Sequence, residues 1–418
     1  MRVLPLALAM AGALTSIPAT MAPSDAGLPA RRIVSVRWAT TGDLSQGRVS
    51  GVVVHRGTLA LGTPTGTSGG YDYGTWTSPW VAPGFDLTEL VPSWNASTPG
   101  DSWLRVEVRG RTGSGKSSWD TIASWAHNDK HVRRSSPHTQ ADDLGRVDYD
   151  TWLTSGVSSW KLRVTLFRRT GQRESPVVEN VGAMVSRLPA VSSVTTSRPG
   201  GDPAALGTVL PVPRYSQMVH EGEYPQYDGG GEAWCSPTST TMVLGYYDAL
   251  PPRRAYRWVD PSYPDRVVPH VARMVYDTHL GGTGNWPFNT AYAASRTGHA
   301  FVTRLRSLRE AERFIAVGIP LVASVSFSAG QLSGAPISST NGHLLVIVGF
   351  TSSGDVVVND PAASSRSGVR RTYDRGQFED AWLKRYPSGS SMRGSGGTVY
   401  VIYDDAHPLP PQDGNRNW

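Results

Sequence analysis

Cys235, His343 and Asp360 are the side chains of this sequence whose types suit thiol chemistry, and they stand far apart along the chain. Cys235 is the only cysteine in 418 residues, so it has no disulfide partner within the chain. It is therefore a small packing residue, a metal ligand or a nucleophile. No second Cys or His follows it at ligand spacing, so no metal and no cofactor are expected. The stretch "GGGEAWCSPTST" (229–240) sets Pro237 and a Ser/Thr cluster just ahead of the apolar run Met242, Val243, Leu244. Proline is tolerated in a first helical turn, so Cys235 is expected at a helix N-terminus. The free amides and the dipole there favour negative charge, and the thiolate is the nucleophilic form. Trp234 and Ser236 flank the thiol and are candidate substrate contacts.

A thiol nucleophile needs a base, and the base needs a group to orient it. "NGHLLVIVGF" opens a buried strand with His343, and "DVVVND" ends the next strand at Asp360 after the turn-like "TSSG". An antiparallel hairpin with Phe350 opposite Asp355 sets Leu345 opposite Asp360. His343 then shares a face with Asp360, one diagonal step of roughly 7–8 Å away. A slip of one residue presents Asn359 instead, so both stay candidates at this point.

The elements around these residues follow two patterns. From about Ile33 to Leu188, "WKLRVTLF" and "LRVEVR" alternate apolar and polar residues between Gly, Ser, Asp and Asn turns. That is the pattern of half-buried strands, and several of them predict an all-β sandwich over 30–189. Nine of the fourteen tryptophans fall here. They are expected to fill the space between the sheets, the alternative being exposed rings that stack on sugars. "AVSSVTTSRPGGDPAALGT" (190–208) has no periodicity and reads as a linker. From 209 to 405 the pattern is mixed. "SLREAERFIAVGIP" carries a capping box of Ser307 with Glu310, then a short helix and a strand after Pro320. "PLVASVSF", "HLLVIVGF", "DVVVND" and "TVYVIY" read as strands. Early helices with strands gathered late predict an α+β domain. Residues 406–418 read as a tail.

The N-terminus, with Arg2, the apolar "VLPLALAMAGALTSI" and the small residues of "PATMA", reads as a secretory signal peptide over 1–22, and so predicts an extracellular protein. No later stretch is long enough to span a membrane. The net charge of +6 comes mainly from arginine, since Lys116, Lys130, Lys161 and Lys384 are the only lysines. No lysine-rich run or nucleic-acid motif occurs, so nucleic acid is not an expected partner. The basic balance suits association with an anionic cell wall.

"VPRYSQ", "WCSPTSTTMVLGYY", "GHLLVIVGF" and "VVVNDPA", in that order over roughly 209–403, resemble the C39-like branch of papain-fold cysteine peptidases, of actinobacterial type. The resemblance implies Cys235 as nucleophile, His343 as general base and acid, and Asp360 as the orienting third member. It also implies a glutamine oxyanion donor, for which Gln217 is the matching position. Two features depart from the family pattern. Ser236 stands where a glycine is usual, and Gln217 lies eighteen residues before Cys235, so "MVHEGEYPQYDGGGEAW" must loop out. Gln226 is the second candidate donor. The implied activity is hydrolysis of peptide or cell-wall peptide bonds. Transfer of the acyl group to another acceptor, or a binding role without catalysis, are the alternatives.

Overall fold

The computed structural model describes residues 30–418 except 138, 139, 141, 142, 389, 390 and 413. The expected signal peptide lies outside the described residues.

The N-terminal half is β-rich, with two antiparallel sheets. One sheet runs in the order Gly145–Asp148, Thr151–Val157, Leu87–Ser97, Val177–Arg187, Thr58–Leu61, Val52–His55, and Arg32–Trp38 pairs with Val177–Arg187. The other runs Arg48–Ser50, Tyr71–Thr77, Ser159–Arg169, Ser102–Arg111, Asp120–Trp125, and Gly66–Ser68 pairs with Tyr71–Thr77. Alternation decides which face is buried. Trp160, Leu162, Val164 and Leu166 are fully buried, as are Leu104, Val106 and Val108 on the neighbouring strand. Trp76, Trp94, Trp125 and Trp152 join them in one core. Trp38 packs edge-on against Trp76 and Trp160, with centroids 5.5 and 5.9 Å apart. Truncating any one of these rings to alanine costs about 3–5 kcal/mol.

The C-terminal half is α+β. A six-stranded antiparallel sheet runs His299–Arg304, Thr398–Tyr403, Leu321–Phe327, Thr340–Phe350, Val356–Asn359, Arg370–Tyr373. Helix Cys235–Tyr246 packs on strand Thr340–Phe350, with helices Val267–Val275 and Trp286–Thr297 beside it. Every residue from Ser236 to Leu244 is buried. The small hydroxyls bring this helix close to its neighbours, and most of them find a partner, the buried Thr238 hydroxyl being the exception. Ser239 donates to the Leu344 carbonyl at 3.1 Å, and Ser236 shares a 2.9 Å bond with the Tyr400 phenol.

Three expected local features differ. The 190–208 stretch is pinned along the C-terminal half. The Ser197 N–H and hydroxyl donate to Glu379 at 2.6 Å each, and Gly200 N–H donates to Glu312 at 2.9 Å. Arg375 locks Glu312 from the other side at 2.8 Å. Both partners of that pair are buried, so removing one strands the other at a cost of about 3–5 kcal/mol. Helix Leu308–Ala316 begins after Ser307, but the Ser307 hydroxyl makes no cap bond. Glu379 accepts the Leu308 N–H at 2.7 Å instead, and Glu310 turns back to the Arg306 N–H. A long-range carboxylate has displaced the local capping box. The 406–418 segment is also docked, with Trp418 buried against Phe314.

Candidate active site

Cys235 opens its helix and lines a cleft of about 960 Å³. Both halves of the chain build the walls. Asp150, Thr151 and Leu153 come from the β-rich half, and Trp286, Ser324–Ser326, Gly342 and Leu344 from the other. The thiol is half-buried.

The turn before Cys235 explains its glycines. Gly230 has φ +128°, open to glycine alone among common residues. A Cβ at Gly231 would lie 2.4 Å from the Gln217 carbonyl oxygen and 2.5 Å from that of His220. The bare glycine thus lets the 217–220 segment lie directly on the approach to the thiol. Gln217 Nε2 donates to the Glu232 carbonyl at 2.7 Å, and its backbone N–H donates to Pro361 at 2.9 Å. The seventeen-residue excursion therefore returns to its starting point. Gln226 sits exposed on the loop.

His343 lies opposite Val325 in the sheet and is 3% exposed. Its Nε2 donates to Asp360 Oδ1 at 2.8 Å, and the ring lies close enough to Cys235 for the two side chains to interact. With Nε2 taken by the carboxylate, Nδ1 is the nitrogen left for the sulfur. Burial works against a charge on His343. The Asp360 carboxylate, by its charge and hydrogen bond, and then Cys235 outweigh that and push the imidazole up to about 10. Burial opposes the charge on Asp360 as well. The imidazole's charge and the hydrogen bonds from His343, Tyr373 and Ala362 hold it below the ordinary carboxylate range.

The register resolves how His343 and Asp360 meet. At the turn end Phe350 pairs with Val356, one residue off the expected partner. A bulge between Ile347 and Gly349 absorbs the extra residue, and Val346 then faces Asn359. Continuing that register sets Leu345 opposite Asp360.

Residues 35–186 match the family described as Peptidase C39 N-terminal domain, and residues 209–390 match the Peptidase C39-like family. The chain belongs to the C39-like peptidase family. Curated proteins gave no match to this C39-like chain. Among solved structures, the carbohydrate recognition domain of Emp46p is similar at 11% identity, with 34% of this chain and 89% of that one covered at a TM-score of 0.21. That score carries no structural argument.

Two expected substrate contacts of the C39-like chain, Trp234 and Ser236, and the alternative orienting residue Asn359 fall elsewhere. Trp234 is fully buried, its indole donating to the Tyr227 carbonyl at 2.6 Å and packing near His220. Ser236 points into the protein toward Tyr400, because one residue along a helix turns the side chain away from the cleft. Asn359 faces the opposite side of its strand from Asp360. It donates to Pro213 and accepts from Arg370 at 2.6 Å, which ties down the entry segment. Of "GTGNWPFNTAYAAS", only Trp286 among its aromatic side chains reaches the cleft. Phe288 and Asn289 are fully buried.

Tyr373 went unnoticed in the sequence. Its phenol donates to Asp360 Oδ2 at 2.8 Å, and the Ala362 N–H donates to Oδ1 at 3.0 Å. The signal available was a tyrosine ending the strand-like "RRTY", since a buried phenol needs a polar partner. Among the described residues, no three His, Cys, Asp or Glu side chains converge as metal ligands, and no helix is long and apolar enough to cross a membrane.

Proposed function

We propose that this chain is a secreted cysteine peptidase or amidase with a papain-like catalytic arrangement. The observation that carries the reading is His343, whose Nε2 donates to Asp360 Oδ1 at 2.8 Å while Cys235 acts on the same buried ring. An imidazolium beside a sulfur favours the thiolate. Cys235 attacks the scissile carbonyl carbon, and the carbonyl oxygen takes the negative charge. The Cys235 N–H, which has no partner within its helix, and the Gln217 amide receive that oxyanion. Gln217 Nε2 spends one hydrogen on Glu232 and keeps the other for this purpose. His343 gives its proton to the leaving amine as the C–N bond breaks, then takes one from the water that releases the thioester. Asp360 holds the ring throughout.

The expected signal peptide over 1–22 supports export. The mixed charges and the volume of the cleft suit a peptide, cell-wall peptides included. The test is covalent labelling with an electrophilic peptide probe. Wild type should label at one residue, Cys235, while Cys235→Ala and His343→Ala should not label. Equal labelling of wild type and His343→Ala would remove the base from the account.

A further inference from the structure

The C-terminal half packs on the N-terminal half through strands Leu87–Ser97 and Val177–Arg187. Both belong to one sheet, and the outer face of the other sheet lies away from that contact. On that outer face, strand Ser102–Arg111 presents Arg105, Glu107, Arg109 and Arg111 in a row, and strand Ser159–Arg169 adds Lys161 and Arg163 beside them. The pairing sets Lys161 directly opposite Arg109. Like charges in that position destabilise a sheet.

Little neutralises this row. Glu107 is the one acid within it, and Arg163 holds both its oxygens, at 2.7 and 2.6 Å. Arg105, Arg109, Arg111 and Lys161 have no carboxylate partner among the described residues. Burial first, then Arg109, Lys116, Arg163 and Arg111, depress the Lys161 ammonium below the usual lysine range.

Aromatic rings hold the cations in place. Lys161 lies 4.8 Å from the Trp80 ring centroid and 5.2 Å from that of Trp119. Arg111 lies 4.6 Å from Trp80, and Arg163 lies 4.3 Å from Trp119. At the far end of the row, Arg105 lies 5.5 Å from Trp103. Such contacts fix long side chains that would otherwise move freely, at about 0.5–1 kcal/mol each.

We propose that this face docks a linear polyanion of the phosphodiester-linked polyol class, through Arg105, Arg109, Arg111 and Lys161. Residues two apart on a strand are roughly 7 Å apart, so Arg109 and Arg111 stand one such step apart and Arg105 two steps from Arg109, a row of cations that a chain with repeated phosphates can span. A single small anion would use one or two of them. Recognition of single-stranded nucleic acid stacks bases on open aromatic faces. Here cations cover Trp80 and Trp119, so neither bases nor sugar rings find a free platform. The surface is separate from the Cys235 cleft and does not depend on catalysis there.

The test measures binding of the intact chain to fluorescent poly(glycerol phosphate), with neutral dextran and a single-stranded thymidine oligonucleotide as comparisons. One variant carries Arg109→Gln, Arg111→Gln and Lys161→Gln. A control carries Arg253→Gln, Arg254→Gln and Arg257→Gln, which removes the same charge from an exposed site on the other half. Circular dichroism and melting verify folding of both, and Lys161→Gln alone serves if the triple variant misfolds. The expected result is salt-sensitive binding of the polymer and none of dextran. Affinity should fall at least about tenfold in the sheet variant (about threefold for Lys161→Gln alone) and stay within about twofold in the control. Equal loss in both triple variants would reduce the effect to net charge and overturn the proposal. So would absence of polymer binding, or oligonucleotide binding as tight as polymer binding with the same dependence on the sheet residues.

Discussion

Tyr373 donates to Asp360 Oδ2 at 2.8 Å, while His343 donates to Oδ1 of the same carboxylate at 2.8 Å. The phenol thus fixes the plane of the group that fixes the imidazole. Tyr373→Phe keeps the ring and removes this bond. We expect kcat to fall about three- to tenfold with KM unchanged, and stability to drop by about 1 kcal/mol. A purely structural role would lower stability without moving the pH profile. Here the alkaline limb of kcat/KM should also shift down.

Asp360→Asn removes the charge that raises His343. The imidazole loses both its orienting acceptor and its elevated pKa, so kcat should fall on the order of 10³. Steady-state kinetics on a peptide amide substrate check this. Asn359→Ala should instead leave kcat nearly intact and lower the melting temperature, since Asn359 ties down Pro213 and Arg370.

The pH dependence follows from the same pair. His343 is raised from 6.5 to about 10 on folding. Its stabilising contribution is full below the unfolded value and is lost as pH rises through about 10. Asp360 is lowered, so its contribution is present above the ordinary carboxylate range and is lost as pH falls through its folded value. Wild type should therefore lose melting temperature between pH 7 and 10 more steeply than Asp360→Asn. Equal slopes would deny the ion pair.

Gln217→Ala should lower kcat by about 10²–10³ with little change in KM, as loss of one oxyanion donor does elsewhere. Gln226→Ala, on an exposed loop residue, should stay within about twofold. Kinetics of the two variants side by side decide between the candidates.

Gly231→Ala places a methyl group against two carbonyl oxygens of the 217–220 segment. Either that segment or the turn before Cys235 must shift. The expected cost is about 2–3 kcal/mol in a denaturant titration, with loss of activity beyond what the unfolded fraction explains.

Much of the arrangement was legible in the sequence because it is local. The Pro237 turn marks the helix start, and the period-two rows mark the sandwich strands. Convergence of Cys235 and His343 was legible only through family resemblance, since nothing in a strand's alternation says which helix covers it. The hairpin shows the limit most clearly. Strict pairing from Phe350 gave the wrong partner at the turn, and a bulge that no residue pattern announced restored the register near Asp360. Trp234 and Ser236 were misplaced for a related reason. Adjacency to Cys235 along the helix turns Ser236 about 100° around the axis, away from the cleft, and Trp234, just ahead of the helix, turns its indole to the Tyr227 carbonyl. The cap from Glu379 and the brace from Tyr373 are contacts between distant elements, invisible to any window of sequence.

The contact between His343 and the Cys235 sulfur is tested most directly by the rate of Cys235 alkylation by iodoacetamide as a function of pH, in wild type and in His343→Ala. Paired with the imidazole, the wild-type sulfur should react faster than the sulfur of His343→Ala, with a pH profile that changes when the imidazole is removed. Superimposable profiles for the two proteins would contradict the account.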